Sequence, residues 1–345
     1  MENKKKYLFQ ALFLLVVAGF TIGSIFYGKD VETILQYTKQ AKPVYIILSI
    51  VCVIFFIWGE SIILFYMLRS FGVKVRAGRC YLYSCIGFFF SCITPSATGG
   101  QPAQIYYMKK DNIPIPVSTV ILMVVTITYK LVLVVIGGAI LLLRPDRVMF
   151  FLKPVLPWCY LGIALNIFCV TLMCMLVFHP SMAERLLLLL LSLAKRLHLV
   201  KRAEEKRESL KQAMQVYEET AAYLAVHWKI VVYAFLITVV QRFSLFFVTS
   251  LTYLAFQKSG ESLFDLLLLQ GMISVSVDML PLPGGMGISE GLFLGIFKPI
   301  FGEGLTIPAM IVSRGISYYG QLIISALLTI YANFRIGRKQ KRQSE

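Results

Sequence analysis

Six ionisable side chains fall within or beside long apolar runs of this chain: Glu60, Lys130, Arg242, Asp278, Glu290 and Arg314. A charge in hydrocarbon is costly, so such residues face a bundle interior or a watery cavity, and each is a candidate for handling a ligand or ion. Three are acids and three are bases, so pairing into buried salt bridges that hold helices in register is the competing explanation. A site is favoured because Asp278 and Glu290 bracket a helix break, Pro281-Leu-Pro-Gly-Gly-Met-Gly-Ile-Ser-Glu290. A matching break, Thr94-Pro-Ser-Ala-Thr-Gly-Gly-Gln-Pro102, interrupts an apolar run in the first half. Proline removes a backbone donor and glycine costs backbone entropy, so no helix runs unbroken through either cluster. Polar backbone freed at membrane depth is tolerated only inside protein or beside water. Paired breaks in corresponding places point to a transport site built from internal repeats.

The helices that resume near Gln101 and Met286 would start inside the membrane, with free N–H groups and a positive dipole end suited to a phosphate or carboxylate. Gly99, Gly100, Gln101, Gly284 and Gly285 therefore join the candidate list. Glu290, in the first turns of the second such helix, either neutralises the dipole or meets a ligand. Arg314, Tyr318 and Gln321 share a helix face at i, i+4 and i+7. Gly287, Gly291 and Gly295 recur every four residues, as at a close helix–helix approach. Tyr106-Tyr107 and Lys109-Lys110 read as interfacial anchors. Catalytic signals are poor. Ser289, Thr94 and Thr98 have no neighbouring histidine to act as base, and neither HExxH nor a Walker loop is present, so no catalytic residue is assigned.

The elements that must position these residues are membrane helices. Of 345 residues, 58% are hydrophobic and 15% charged, which excludes an ordinary soluble domain. Six stretches are long enough to cross about 30 Å of hydrocarbon: 7–27, 43–68, 117–143, 155–178, 230–256 and 306–332. The first lacks a signal-peptidase pattern and reads as an anchor. Lys4-Lys5-Lys6, Arg69, Lys74, Arg76, Arg79, Lys109-Lys110, the basic 185–229 stretch and Arg335–Arg342 fall on one expected side, which puts both termini in the cytoplasm. The net charge of +16 then reflects orientation and anionic headgroups, with no nucleic-acid partner expected. Seven cysteines without a CxxC pair read as small core residues, the three histidines form no cluster, and no metal or cofactor is expected.

The expected architecture is an all-α polytopic membrane protein of about six full spans plus two re-entrant helical hairpins in an inverted-topology repeat. The chain, 1–345, reads as one integral membrane domain. An anchor occupies 1–42, and repeat 1 covers 43–143 with a re-entrant 81–108. A linking span at 155–178 leads to a cytoplasmic interfacial helix over 181–227. Repeat 2 covers 228–334 with a re-entrant 262–301. Gly99 follows Pro43 by about 56 residues and Gly284 follows Ile230 by about 54. Two short true crossings per hairpin fit the charges equally well.

Gly99-Gly100-Gln101-Pro102 with Ile105-Tyr106-Tyr107, Pro283-Gly284-Gly285-Met286-Gly287 with Glu290, and Arg314 with Tyr318-Tyr319 resemble, in order, three signatures of the flippase-like family of the lysylphosphatidylglycerol synthase transmembrane region. The resemblance spans almost the whole chain. It implies a lipid-translocator fold in a bacterial cell membrane, moving aminoacylated lipid to the outer leaflet and so linked to resistance against cationic antimicrobial peptides. In fused relatives the aminoacyl transfer belongs to a separate soluble C-terminal domain, which is not expected here because the chain ends at Glu345. Thr128-Tyr129-Lys130 stands where many relatives carry an acid–Arg pair. The expected function is movement of an anionic or aminoacylated phospholipid. A scaffold for a separate lipid-modifying synthase is the alternative, and an intrinsic transferase comes third. Membrane phospholipids are the expected partners.

Overall fold

The computed structural model describes residues 31–196 and 203–344, and every regular element among them is helical. In chain order these are α1 (Val31–Lys39), α2 (Pro43–Ser70), α3 (Ala77–Ile93), α4 (Gly100–Lys110), α5 (Ile115–Leu143), α6 (Asp146–Leu152) and α7 (Leu156–Phe178). The second half holds α8 (Pro180–Arg196), α9 (Ala203–Val226), α10 (Lys229–Ala255), α11 (Leu263–Val277), α12 (Ile288–Phe301), α13 (Glu303–Arg314) and α14 (Gln321–Ser344). The span expected at 7–27, the tri-lysine at 4–6 and His198 lie outside the described residues.

Among the described residues five helical stretches are long and apolar enough to cross a membrane: Pro43–Ser70, Ile115–Leu143, Asp146–Phe178, Lys229–Ala255 and Glu303–Ala332. They correspond to the five other expected spans, and the chain is a multi-pass membrane protein. Their ends follow local chemistry. Pro43 opens α2 where a missing N–H costs nothing. Arg144, left-handed at φ 46°, closes α5 just before Pro145 forbids another helical turn.

Each glycine-proline cluster joins two shorter helices that pack on one another, α3 with α4 and α11 with α12. The first turn, Pro95–Ala97, puts Ser96 at φ 49° and Ala97 at φ 55°. The second, Pro283–Gly285, uses glycine for the same left-handed geometry, with Gly284 at φ 57° and Gly285 at φ 64°. Both units fold back as hairpins. At the open end of the first, Tyr83 donates a 2.6 Å hydrogen bond to Asp111, which also pairs with Arg79 at 3.5 Å. At the open end of the second, Phe301 meets the rings of Tyr253 and Phe256, and Glu261 N donates to the Tyr253 hydroxyl.

The two open ends lie at opposite ends of α2. The first hairpin begins seven residues beyond Ser70. The second opens beside Ala255, whose carbonyl accepts from Lys42 N, just before α2 begins. The tips meet, with Ser96 Oγ donating to the carbonyl of Leu280 at 3.2 Å. Packing is paired across the halves: α2 contacts α3 as α10 contacts α11, and α4 contacts α5 as α12 contacts α13. α2 and α10 cross against each other, tied by Gln241 donating to the Phe56 carbonyl at 2.8 Å. One buried apolar cluster, including Phe246, Phe293 and Phe297, surrounds the second hairpin. Another, including Leu64, Tyr83 and Met108, surrounds the first.

Two expectations change in detail. The single helix expected over 181–227 is two helices, α8 and α9. α9 buries Met214, Tyr217, Ala221 and Leu224, a 3–4 spaced stripe, and packs on α5, α7 and α8. That face is turned at least partly onto the bundle, where Tyr217 donates to the Leu176 carbonyl. The Gly287–Gly295 stripe is not a close approach. A Cβ at Gly291 would meet open space, and one at Gly295 only Val155 at an ordinary 3.5 Å. All seven cysteines are free, and four are buried.

Candidate functional site

A cavity of about 440 Å³ opens beside the meeting tips. α2 supplies Glu60, α4 supplies Gln101 and Gln104, α5 supplies Tyr129 and Lys130, and α10 supplies Arg242. Asp278 comes from the end of α11 and Gln321 from the start of α14. The volume lies in the range of small-ligand sites. Four of the six membrane charges therefore share one cavity although they are distant in sequence.

Their pairing is uneven. Lys130 Nζ lies 2.5 Å from Asp278 Oδ2 and also reaches Met279 Sδ, and only about a tenth of each charged side chain is exposed. Glu60 Oε1 accepts from Gln104 Nε2 at 2.8 Å, and the same amide nitrogen reaches the Tyr83 carbonyl. Gln101 donates to Thr126 Oγ1, and Thr126 in turn donates to the Leu122 carbonyl. Arg242 differs. It makes no ion pair among the described residues, and its Nε is buried without a hydrogen-bond partner. Its guanidinium carbon lies 3.4 Å from the Tyr129 ring centroid and 4.9 Å from that of Phe56. Stacking fixes the guanidinium plane and leaves its N–H edge for a planar or tetrahedral anion.

Of the other expected site residues, Gly284, Gly285, Glu290, Arg314 and Tyr318 form a second cluster outside this cavity. Glu290 Oε1 pairs with Arg314 Nε at 3.0 Å, and Glu290 Oε2 accepts the Gly287 N–H at 2.7 Å. Arg314 Nη2 donates to the Gly284 carbonyl at 2.9 Å. Of the two readings of Glu290, this geometry is that of a cap on the helix start. Tyr318 donates to the Cys92 carbonyl at 2.9 Å, across to the first hairpin. A Cβ on Gly284 would run into the Tyr318 ring, and one on Gly285 would come within 2.9 Å of Val277. Gly99 and Gly100 line neither cluster. Gly99 N donates to Thr94 Oγ1, and a Cβ on Gly100 would strike Ser91 Oγ and come within 2.8 Å of the Gly87 carbonyl, so these glycines let α4 lie close to α3.

The face shared by Arg314, Tyr318 and Gln321 is broken by a π-helical turn over Gly315–Gly320. The wider turn offsets the α-helical spacing, so Gln321 reaches the cavity while Arg314 stays with Glu290.

Sequence reasoning passed over Gln104, Thr126, Tyr129 and Gln241. Gln104 lies one turn beyond Gln101 on the same helix face, and that spacing was the available signal. Gly287-Ile-Ser-Glu-Gly291 also has Gly-x-Ser-x-Gly spacing. Ser289, however, opens a helix after a 3₁₀ turn rather than a strand-to-helix elbow, and its hydroxyl is buried with no hydrogen-bond partner. Among the described residues no three His, Cys, Asp or Glu side chains converge to hold a metal ion.

A family model described as the lysylphosphatidylglycerol synthase TM region matches residues 8–325. No curated protein matches the chain.

Proposed function

The chain belongs to the family of the lysylphosphatidylglycerol synthase TM region, membrane proteins of lysylphosphatidylglycerol-related lipid handling, and on that premise we propose that it is a lipid translocator. Its cargo is an anionic or aminoacylated phospholipid, moved between leaflets of a bacterial cytoplasmic membrane. The two hairpins are re-entrant, enter from opposite faces as an inverted repeat, and hold the headgroup cavity near the midplane. The observation that carries this reading is Arg242, a cation in a membrane cavity that makes no ion pair among the described residues and has an unsatisfied Nε.

In this reading Arg242 holds the lipid phosphate by charge-assisted hydrogen bonds while Tyr129 keeps its guanidinium plane fixed. Glu60 and Asp278 stand across the same cavity for the ammonium groups of an aminoacyl headgroup. The Lys130–Asp278 pair is the exchangeable element, because an incoming headgroup supplies a cation to Asp278 and an anion to Lys130. A zwitterionic or aminoacylated headgroup can thus replace an internal ion pair without leaving a bare charge in low dielectric.

The test uses the full chain in liposomes with fluorescent phosphatidylglycerol and lysyl-phosphatidylglycerol, scored for transbilayer movement. We expect movement of at least one, slowed about tenfold or more by Arg242→Gln, the scale of one lost charge-assisted hydrogen bond. Binding of either lipid without any movement would sink translocation and favour a scaffold role. Movement unaffected by Arg242→Gln would remove Arg242 from the site.

A further inference from the structure

A second cavity, about 610 Å³, lies at the open end of the first hairpin and shares no lining residue with the central one. Its polar walls are Lys74, Arg76, Arg79, Tyr83, Asp111 and Asn112. Three cations face one carboxylate, and that carboxylate is already occupied. Asp111 Oδ2 accepts from the Tyr83 hydroxyl at 2.6 Å and pairs with Arg79 Nε at 3.5 Å. These contacts orient Arg79 from its Nε edge, while its Nη1 is buried without any hydrogen-bond partner. Lys74 and Arg76 are exposed and make no ion pair among the described residues. The cavity thus holds an uncompensated positive charge, a fixed guanidinium with an unsatisfied donor, and two cations free to close on a ligand.

Its depth is set by α2. Twenty-eight helical residues at about 1.5 Å each span on the order of 42 Å, longer than the roughly 30 Å hydrocarbon layer, so the segment after Ser70 reaches headgroup level. We propose that this cavity is a phosphate-binding site distinct from the central one, with Arg79 as the fixed donor and Lys74 and Arg76 as the closing cations. The phosphate is either the headgroup of an anionic phospholipid in the adjacent leaflet or a free phosphate in solution. Guanidinium and ammonium donors grouped at headgroup level suit both.

The experiment uses the purified full-length chain carrying Arg242→Gln, so that binding at the central cavity does not obscure the result. Retained phosphatidylglycerol is measured by native mass spectrometry, and binding of inorganic phosphate by titration calorimetry in detergent. Adding Lys74→Gln with Arg76→Gln, both exposed positions that leave the fold intact, is expected to weaken binding about tenfold, the scale of a lost charge-assisted contact. Loss of phosphatidylglycerol retention that millimolar phosphate does not mimic supports the site with a lipid source. Loss of inorganic phosphate binding supports it with a soluble source. Unchanged binding of both probes overturns the site. None of these readouts needs lipid movement, so the translocator reading can fail while this one stands.

Discussion

Arg242 and Arg314 are both guanidiniums within apolar helices, yet their surroundings give them opposite work. Arg314 is held by Glu290 and by the Gly284 carbonyl, and Glu290 also caps Gly287 N, so one ion pair fastens both sides of the second helix break. Only 15% of the Arg314 side chain and 5% of that of Glu290 are exposed. Removing one partner leaves the other charge buried and alone, a cost of about 3–5 kcal/mol. Glu290→Gln or Arg314→Gln alone is therefore expected to lower thermal stability in detergent sharply, and the double substitution less than the sum of the two. Additive losses in that cycle would show that the pair is not the clasp. Arg242→Gln should leave the melting temperature nearly unchanged while slowing lipid movement.

Helix packing around the breaks depends on where side chains are missing. α7 crosses α11 at Gly162, where a Cβ would strike the Val275 carbonyl and lie 2.6 Å from the Ser276 Cα, both backbone atoms that cannot step aside. Asn166, one turn on, donates to the Val275 carbonyl at 3.2 Å, so the contact is hydrogen-bonded as well as close. Gly162→Val must therefore push α7 off α11, near Asp278 at the cavity rim, at about 1–3 kcal/mol. The expected outcome is a lower melting temperature than for Gly138→Val, where a Cβ would meet open space. Equal effects would mean that the α7–α11 approach is not limiting. The π-helical turn at Gly315–Gly320 does comparable work by rotation, since it separates the lining residue Gln321 from the clasp residue Arg314.

Across the whole molecule, the two hairpins open at opposite ends of α2 and meet at their tips. If both are re-entrant, residues at the two open ends face opposite sides of the membrane. Asn112→Cys, at the end of the first hairpin, is expected to react with a membrane-impermeant maleimide from the cytoplasmic side, and Gly260→Cys, before the second, from the exterior. The unsubstituted chain serves as the blank. Labelling of both from one side would contradict the inverted arrangement.

The chain's pattern alone determined the membrane class, the positions of the five long spans among the described residues and the two breaks, because hydrophobic length and proline-glycine chemistry act locally. It also determined which six charges needed explanation, since their cost depends on their place in an apolar run and not on their neighbours. It left the division of labour among them open. All six were equal candidates in sequence, yet four line the cavity and two clasp a turn. That division rests on contacts between residues as distant as Lys130 and Asp278, or Tyr318 and Cys92, and on a π turn that shifts helix register with no proline to announce it. Spacing along a helix specifies a face, but only the packed bundle decides what that face meets. The unpaired guanidinium of Arg242 and the unoccupied donor of Arg79 therefore became visible only once the packed bundle showed which of the buried groups had found partners.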